Sequence, residues 1–432
     1  MRVRINPHRF TGAVKIPASK SHTIRQLLIA SLADGVSEIR GPLDSLDTRS
    51  CISVCRAFGA EIAEIPAGWK ISGSNGFKNI NAPPALKLDV GNSGTTLYMA
   101  LAVAGLQAEP VEFTGDEQIQ KRSAAPLLDA LAGLGVRSQS NNGCAPITIN
   151  GPWKGGRVSL PCPTSQYLSA ILIASPLAPA GAVTEIDVPM LNEKPYIEMT
   201  LSYLRAHGIN FEATPDFSRF LIPGGSSWKA FSGSVPADFS SAAFPAAAAA
   251  VSGGTVTLLG LDPHDTQGDK YFFEMLAQMG CKIIWKENGE GAHSLTISRD
   301  TPLNGGTFDL NSTPDMLPAA AAVAAFAQGD TALVNVAHAR IKETDRISVM
   351  AKELAKLGVD CTERPDGLIV HGKGTLSPTG SSVLDGHGDH RIVMALSAAA
   401  LGCKSPVEIT SAESAAVTYP DFFELLEADK IC

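Results

Sequence analysis

A polar turn opening onto an alanine- and leucine-rich run recurs six times in this 432-residue chain, marked by Lys20, Asn92, Thr164, Asp238, Asp315 and Asp389 at intervals of 72 to 77 residues. The six opening motifs read SKSHTIRQLLIASLADG, GNSGTTLYMALAVAG, PTSQYLSAILIASPLAPAG, PADFSSAAFPAAAAAVSGG, STPDMLPAAAAVAAFAQG and GHGDHRIVMALSAAALG. Ordinary alternation of helix and strand does not hold one spacing, one turn chemistry and one stop signal over so many copies, so the period restricts the chain to a repeat architecture. Most of these runs are apolar nearly all round, which predicts buried helices. A short β-rich stretch follows each: VSEIRG, PVEFTG, AVTEIDV, TVTLLG, TALVNV and PVEIT. More amphipathic helices are then expected at residues 47–58, 123–134, 196–206, 270–279 and 344–357. These close on a glycine suited to a helix C-cap, in FGAEI, LGVRS, HGINF, MGCKI and LGVDC, while the last copy ends in YPDFFELLEADKIC. The predicted unit is therefore β-α-β-α-β with a further strand leading into the next motif. Three units per domain is the natural division, with the polar, Pro- and Gly-containing stretch 231–237 as the crossing between them.

A net charge of -8 argues against a general nucleic-acid or anionic-membrane binder, since both need a broad basic surface. Any anion must be bound locally, and helix starts can do that. The first turns leave backbone N–H groups unsatisfied at the positive end of the helix dipole. In PASKSHTIR, Lys20 and Arg25 would add full charges, although Ser and Thr at such a turn also serve as plain caps. If the buried helices of each domain run parallel, their N-terminal turns face a common cleft suited to phosphates and carboxylates. The N-terminus MRVRINPHRF has no apolar segment behind its arginines, which points to the cytoplasm. The most apolar run, residues 242–251, is too short to span a bilayer. The cysteines at 51, 55, 144, 162, 281, 361, 403 and 432 form no C-x-x-C pair and read as reduced, mostly buried thiols.

The densest charged stretch is ARIKETDR, residues 339–346. Lys342 and Arg346 are four apart and would share a helix face with Glu343 between them. Glu343 could be an ionised partner of these cations or, in a dry site, a proton donor; a solvated helix start with surface ion pairs explains the same residues. Asp315 stands where a cap is common. Arg391 and Arg122 suit a bidentate grip on carboxylate or phosphate, and Thr164, Ser165 and Gln166 offer neutral donors. Tyr196 could stack or hydrogen-bond. No Walker lysine motif, no G-x-G-x-x-G after a strand and no metal-ligand spacing occurs, so neither a nucleotide nor a metal cofactor is expected.

Taken together, SKSHTIR, GNSGT, TSQ, KPYIEMTL, IKETDR, DHR and TYPDFF resemble the 5-enolpyruvylshikimate-3-phosphate synthase family, in the right order and over essentially the whole chain. The resemblance implies an α/β, two-domain enolpyruvyl transferase-like fold of six β-α-β-α-β-β repeats with buried parallel helices. It puts residues 1–15 with 236–432 in one domain and 16–235 in the other, the active site lying in the cleft between them. It further implies transfer of the enolpyruvyl (carboxyvinyl) group of phosphoenolpyruvate to the 5-hydroxyl of shikimate 3-phosphate, without a cofactor, by a monomer. By the same resemblance Lys20, Ser21, Arg25, Thr164, Ser165, Gln166, Asp315 and Lys342 contact shikimate 3-phosphate. Lys20, Asn92, Gly94, Arg122, Gln166, Arg346 and Arg391 contact phosphoenolpyruvate. Asp315 and Glu343 handle protons, and Lys20 and Lys342 stabilise charge.

Four positions depart from the family pattern. Val417 stands where a lysine precedes the T-F/Y-P-D-F run, Glu193 where a phosphate-binding serine precedes K/R-P-Y, His338 where an asparagine is usual, and Tyr98 where an arginine is common. A carboxylate beside a phosphate repels it unless Lys194 or His338 neutralises the contact. Three other readings compete. A UDP-N-acetylglucosamine enolpyruvyl transferase would carry a reactive cysteine, which FTGDEQIQKR lacks. A carboxyvinyl transferase acting on another cyclic alcohol or phosphate would account for Glu193, His338 and Val417. A non-catalytic binding protein is opposed by the retained Asp315, Glu343, Lys20 and Arg122.

Overall fold

Each of the six marker residues stands at or just before a helix start in the computed structural model, which describes residues 1–76, 86–289, 292–378 and 382–431. The motif helices are Lys20–Leu32, Gly94–Ala104, Gln166–Ala174, Phe239–Ser252, Leu317–Ala324 and His390–Gly402. Three of them start on a local side-chain cap: Ser93, Asp238 and Asp389 accept the backbone N–H of Thr96, Ser241 and Arg391. Their alanine and leucine content favours the helix, and their lack of a polar face sends them inward. The fourth and sixth are buried along nearly their whole length.

The chain divides into two compact units, residues 1–19 with 236–432, and residues 20–235. Each has its own apolar core. In the unit 20–235 the helices Gly94–Ala104 and Gln166–Ala174 pack on each other; in the other unit His390–Gly402 packs on both Phe239–Ser252 and Leu317–Ala324. Amphipathic helices Leu46–Ala57, Ala125–Gly133 and Lys194–Ala206 accompany the first set, and Tyr271–Gln278, Arg346–Lys356 and the short Phe422–Leu425 the second.

One sheet plan recurs. The strand before a motif helix pairs in parallel with the strand after it, and two antiparallel strands complete the sheet. Thus Leu86–Asp89 runs parallel to Val111–Thr114, with Leu88 opposite Phe113, and Cys144–Asn150 and Arg137–Asn141 follow antiparallel. Parallel neighbours need a long crossover, which the motif helix supplies. The same order holds around Val183–Asp187, Ala327–Val334 and Val407–Thr410; the second of these sheets adds the short parallel strand Leu303–Asn304, and the last takes its antiparallel strands from the two chain ends, Arg2–Ile5 and Asp429–Ile431.

Two lead strands are exchanged. Thr11–Lys15 precedes the first motif helix in the chain, yet it pairs with Thr255–Leu259 behind the fourth. Ser232–Ser234 precedes the fourth motif helix and pairs with Val36–Arg40 behind the first. The first crossing falls at Ser19/Lys20, four residues later than the 15/16 boundary expected from the sequence. Backbone bonds explain the shift: Ile16 N–H reaches the Leu259 carbonyl at 3.2 Å, Ser19 N–H the Pro236 carbonyl at 2.8 Å, and Asp238 N–H the Pro17 carbonyl at 2.9 Å. Among the described residues the cysteines are free thiols, mostly buried, and Cys432 lies outside those residues.

Candidate active site

In the unit 20–235, the first motif holds Lys20 with its ammonium 3.1 Å from the Asp47 carboxylate. Arg25, one turn on, is fully buried. Its Nε donates to Thr200 Oγ1 at 3.0 Å, Nη1 to the Ser21 carbonyl at 3.1 Å, and Nη2 to Ser169 Oγ at 3.2 Å and the Tyr196 carbonyl at 3.4 Å. Burial lowers its pKa to about 10, against the pull of Tyr203, Tyr196 and Glu193. Arg25 therefore ties the first motif helix to the third and to the helix Lys194–Ala206. Tyr196 takes part through its backbone carbonyl.

At the second motif, Asn92 Nδ2 donates to Asp116 at 2.5 Å and to Gln118 at 2.8 Å. Gly94 opens the helix, and a Cβ there would stand 2.6 Å from Arg122 Nη1. The bare glycine lets the guanidinium lie against the helix start, so the structure brings together two residues that the sequence separates by the motif helix, a strand and a turn. Tyr98 sits edge-on to Tyr167 at 5.0 Å, and the Tyr167 hydroxyl donates to the Ser123 carbonyl at 2.6 Å.

The third motif gathers its donors on a single oxygen of the chain itself. Glu193 Oε2 accepts the Ser165 N–H at 2.9 Å, the Ser165 hydroxyl at 2.7 Å and the Thr164 hydroxyl at 3.1 Å. Glu193 is 2% exposed and has left-handed backbone angles, φ 59 and ψ 42, immediately before the helix Lys194–Ala206. Lys194 is exposed and donates to the Asp216 carbonyl at 3.3 Å. Gln166 N–H turns back to Thr164 Oγ1 at 3.4 Å.

In the unit 1–19/236–432, a fully buried arginine organises the charged residues. Arg346 Nε lies 2.8 Å from Asp389 Oδ2, Nη1 2.7 Å from Asp315 Oδ1, and Nη2 2.5 Å from Glu343 Oε2 and 3.2 Å from Asp389 Oδ1. Those bonds use all but one of the five N–H groups of a guanidinium. Arg391 Nη2 holds the other Asp315 oxygen at 2.9 Å. Burial works to raise the Asp315 pKa, but Arg391, Lys342 and Arg346 outweigh it and hold this carboxyl well below the usual range. The same balance keeps Asp389 ionised: burial is opposed by Arg346, and the Thr344 hydroxyl donates to Asp389 at 3.0 Å.

The expected shared helix face of Lys342 and Arg346 is not what forms. Asp345 accepts the Ser348 N–H at 3.1 Å and so starts the helix at Arg346, two residues later than expected. Lys342 and Glu343 lie in the turn before it, and Glu343 meets Arg346 because the guanidinium reaches back three residues. His338 is buried, with Nε2 3.1 Å from the Asn311 carbonyl. Val417 ends the short helical segment Ala412–Val417, half-buried.

One acidic residue carries no clear mark in the sequence. Asp269 is buried and accepts the hydroxyls of Ser240, from the fourth motif, and Thr313, from the fifth. Burial first and the nearby Asp315 charge second push its carboxyl up to about 6. The only local signal is an aspartate in TQGDK beside an apolar helix, and such an aspartate is ordinarily a cap.

The repeated sheets make an α/β protein whose fold is that of known enolpyruvyl transferase structures. An EPSP synthase from Acinetobacter baumannii superposes with a TM-score of 0.80 at 29% identity, over 99% of this chain and 97% of that one. The enolpyruvyl transferase NikO from Streptomyces tendae shares the fold at a TM-score of 0.75 and 18% identity, over 99% and 98%. In sequence, the 3-phosphoshikimate 1-carboxyvinyltransferase of Acetivibrio thermocellus is 44% identical over 428 residues, covering 99% of this chain and 97% of the relative. That of Ruminiclostridium cellulolyticum is 42% identical over 430 residues, covering 99% and 98%. The family model for EPSP synthase (3-phosphoshikimate 1-carboxyvinyltransferase) matches residues 5–426. The chain belongs to the EPSP synthase family.

Proposed function

We propose that this chain transfers the enolpyruvyl group of phosphoenolpyruvate to the 5-hydroxyl of shikimate 3-phosphate, with release of phosphate, in the shikimate pathway to the aromatic amino acids. Family membership supports the reaction, and the network of Asp315, Glu343, Arg346 and Arg391 is the observation that carries the assignment of roles. The 5-hydroxyl adds to C2 of phosphoenolpyruvate while C3 gains a proton. C3 then returns a proton, the C2–O bond to phosphate breaks, and the enol ether remains. Asp315, held ionised by three cations, accepts the hydroxyl proton, which passes on to the departing phosphate. Glu343 delivers the proton to C3 and takes it back.

Lys20, Ser21, Arg25, Thr164, Ser165, Gln166 and Lys342 bind the acceptor. Asn92, Gly94, Arg122, Arg346 and Arg391, with Lys20 and Gln166, bind phosphoenolpyruvate, Arg346 through the N–H that its carboxylate partners leave over. Lys20 and Lys342 offset the charge that develops on the departing phosphate. We place the reaction in the cytoplasm and assign it to a monomer, which sedimentation of the purified chain checks. Among the described residues no helix is long and apolar enough to cross a membrane.

The deciding experiment is a phosphate-release assay with phosphoenolpyruvate and shikimate 3-phosphate, run beside unphosphorylated shikimate and UDP-N-acetylglucosamine. Release with shikimate 3-phosphate is expected. No release with it, against release with another acceptor, overturns the assignment.

A further inference from the structure

The donors of the third motif already hold an anion, and that anion is covalently part of the protein. Thr164 and Ser165 lie ahead of a nine-residue helix whose first N–H groups carry the positive end of its dipole. The Ser165 N–H, the Ser165 hydroxyl and the Thr164 hydroxyl all converge on Glu193 Oε2 within 3.1 Å. The carboxylate reaches them from 28 residues away because the two segments are zipped together: Cys162 N–H bonds the Met190 carbonyl at 2.8 Å, and Asn192 N–H bonds the Cys162 carbonyl at 3.1 Å. A non-glycine residue in left-handed conformation is strained, and Glu193 keeps that conformation with its side chain buried. Each of these donors has a single hydrogen, so the carboxylate and a ligand phosphate cannot both take them. Two anions forced together in a buried place also repel.

We propose that Glu193 is a specificity-determining residue, a tethered carboxylate that competes with the acceptor's phosphate for the Thr164–Ser165 donors. Binding of a phosphorylated acceptor swings the Glu193 side chain out; an unphosphorylated acceptor leaves it seated. The phosphate consequently contributes less to acceptor affinity than three converging donors would otherwise allow. The inference rests on the proposed binding of the acceptor by Thr164 and Ser165, and it puts the acceptor's phosphate on their donors.

The test compares the full chain with E193S and E193Q. Serine removes the competing anion and leaves a hydroxyl. Glutamine keeps the size, and its amide oxygen can still accept the Ser165 N–H, so it separates charge from packing and preserves the local fold if serine does not. Calorimetric titration with shikimate 3-phosphate and with shikimate, and the KM for phosphoenolpyruvate, are the readouts. We expect E193S to bind shikimate 3-phosphate about tenfold or more tightly, E193Q by a smaller factor in the same direction, shikimate to change less than about twofold, and the KM for phosphoenolpyruvate to stay within about twofold. A structural role would move both acceptors alike. Unchanged or weaker binding of shikimate 3-phosphate by both variants overturns the inference. The titrations need no turnover, so they decide it separately from the phosphate-release assay: turnover with shikimate 3-phosphate and unchanged titrations would sink this inference alone, while tighter binding without turnover would sink the proposed reaction alone.

Discussion

Gly94 yields its Cβ position to Arg122: a methyl group there would lie 2.6 Å from Nη1 of the guanidinium. The constraint is space, because Gly94 is the first residue of a regular helix and is not among the residues with positive φ. Alanine at a helical glycine ordinarily stabilises by roughly 0.5–1 kcal/mol. Gly94→Ala should therefore leave Tm level or slightly raised while it pushes the guanidinium off its seat. The expected reading is a KM for phosphoenolpyruvate raised about tenfold or more, equivalent to ~1.4 kcal/mol. An unchanged KM would mean that Arg122 does not hold this substrate.

Glu343 enters the proposed reaction through proton transfer, and Arg346 keeps Asp315 and Asp389 as partners without it. Glu343→Gln should retain binding of both substrates and lower kcat by roughly 100-fold or more, the usual scale of a positioned acid or base. Pre-steady-state and steady-state rates measure this; turnover at the wild-type rate removes Glu343 from the chemistry.

Arg346 bonds Asp315, Glu343 and Asp389 together, and it is fully buried. Removing one partner of a buried ion pair leaves an uncompensated charge and costs about 3–5 kcal/mol. Arg346→Met is expected to lose stability on that scale in urea denaturation, whereas a loss below ~1 kcal/mol would show that the carboxylates find other partners.

Asp269 ties stability to pH. Its carboxyl titrates near 6 in the folded protein, against an ordinary value of 3.8, so the folded state binds its proton more tightly than the unfolded state. Stability from this group is present below the unfolded pKa and is lost as pH rises through the folded one. Asp269→Asn removes that titration. The Tm of the variant minus that of the wild type should therefore climb between about pH 4 and about pH 6 and then level. A difference independent of pH would refute the shift.

Several features were legible locally. The caps at Ser93, Asp238 and Asp389 and the apolar runs behind them announce the motif helices, because capping and burial preference are decided within a few residues. The same locality misled at residues 339–346: a spacing of four suggested a shared helix face, but the Asp345 side chain captured the Ser348 N–H and placed Lys342 and Glu343 outside the helix. Asp269 stayed invisible because its partners, Ser240 and Thr313, are 29 and 44 residues away.

By itself the sequence determined the period, the buried and amphipathic helices, the strands between them, and the polar residue types at each opening turn, all of which depend on interactions within one or two turns of chain. Only the tertiary structure decided which lead strand pairs with which repeat, which carboxylates share Arg346, and that Glu193 occupies the donors of Thr164 and Ser165. Those outcomes depend on distances between segments far apart in the chain, where hydrogen-bond geometry and burial select one partner from several of the same chemical type.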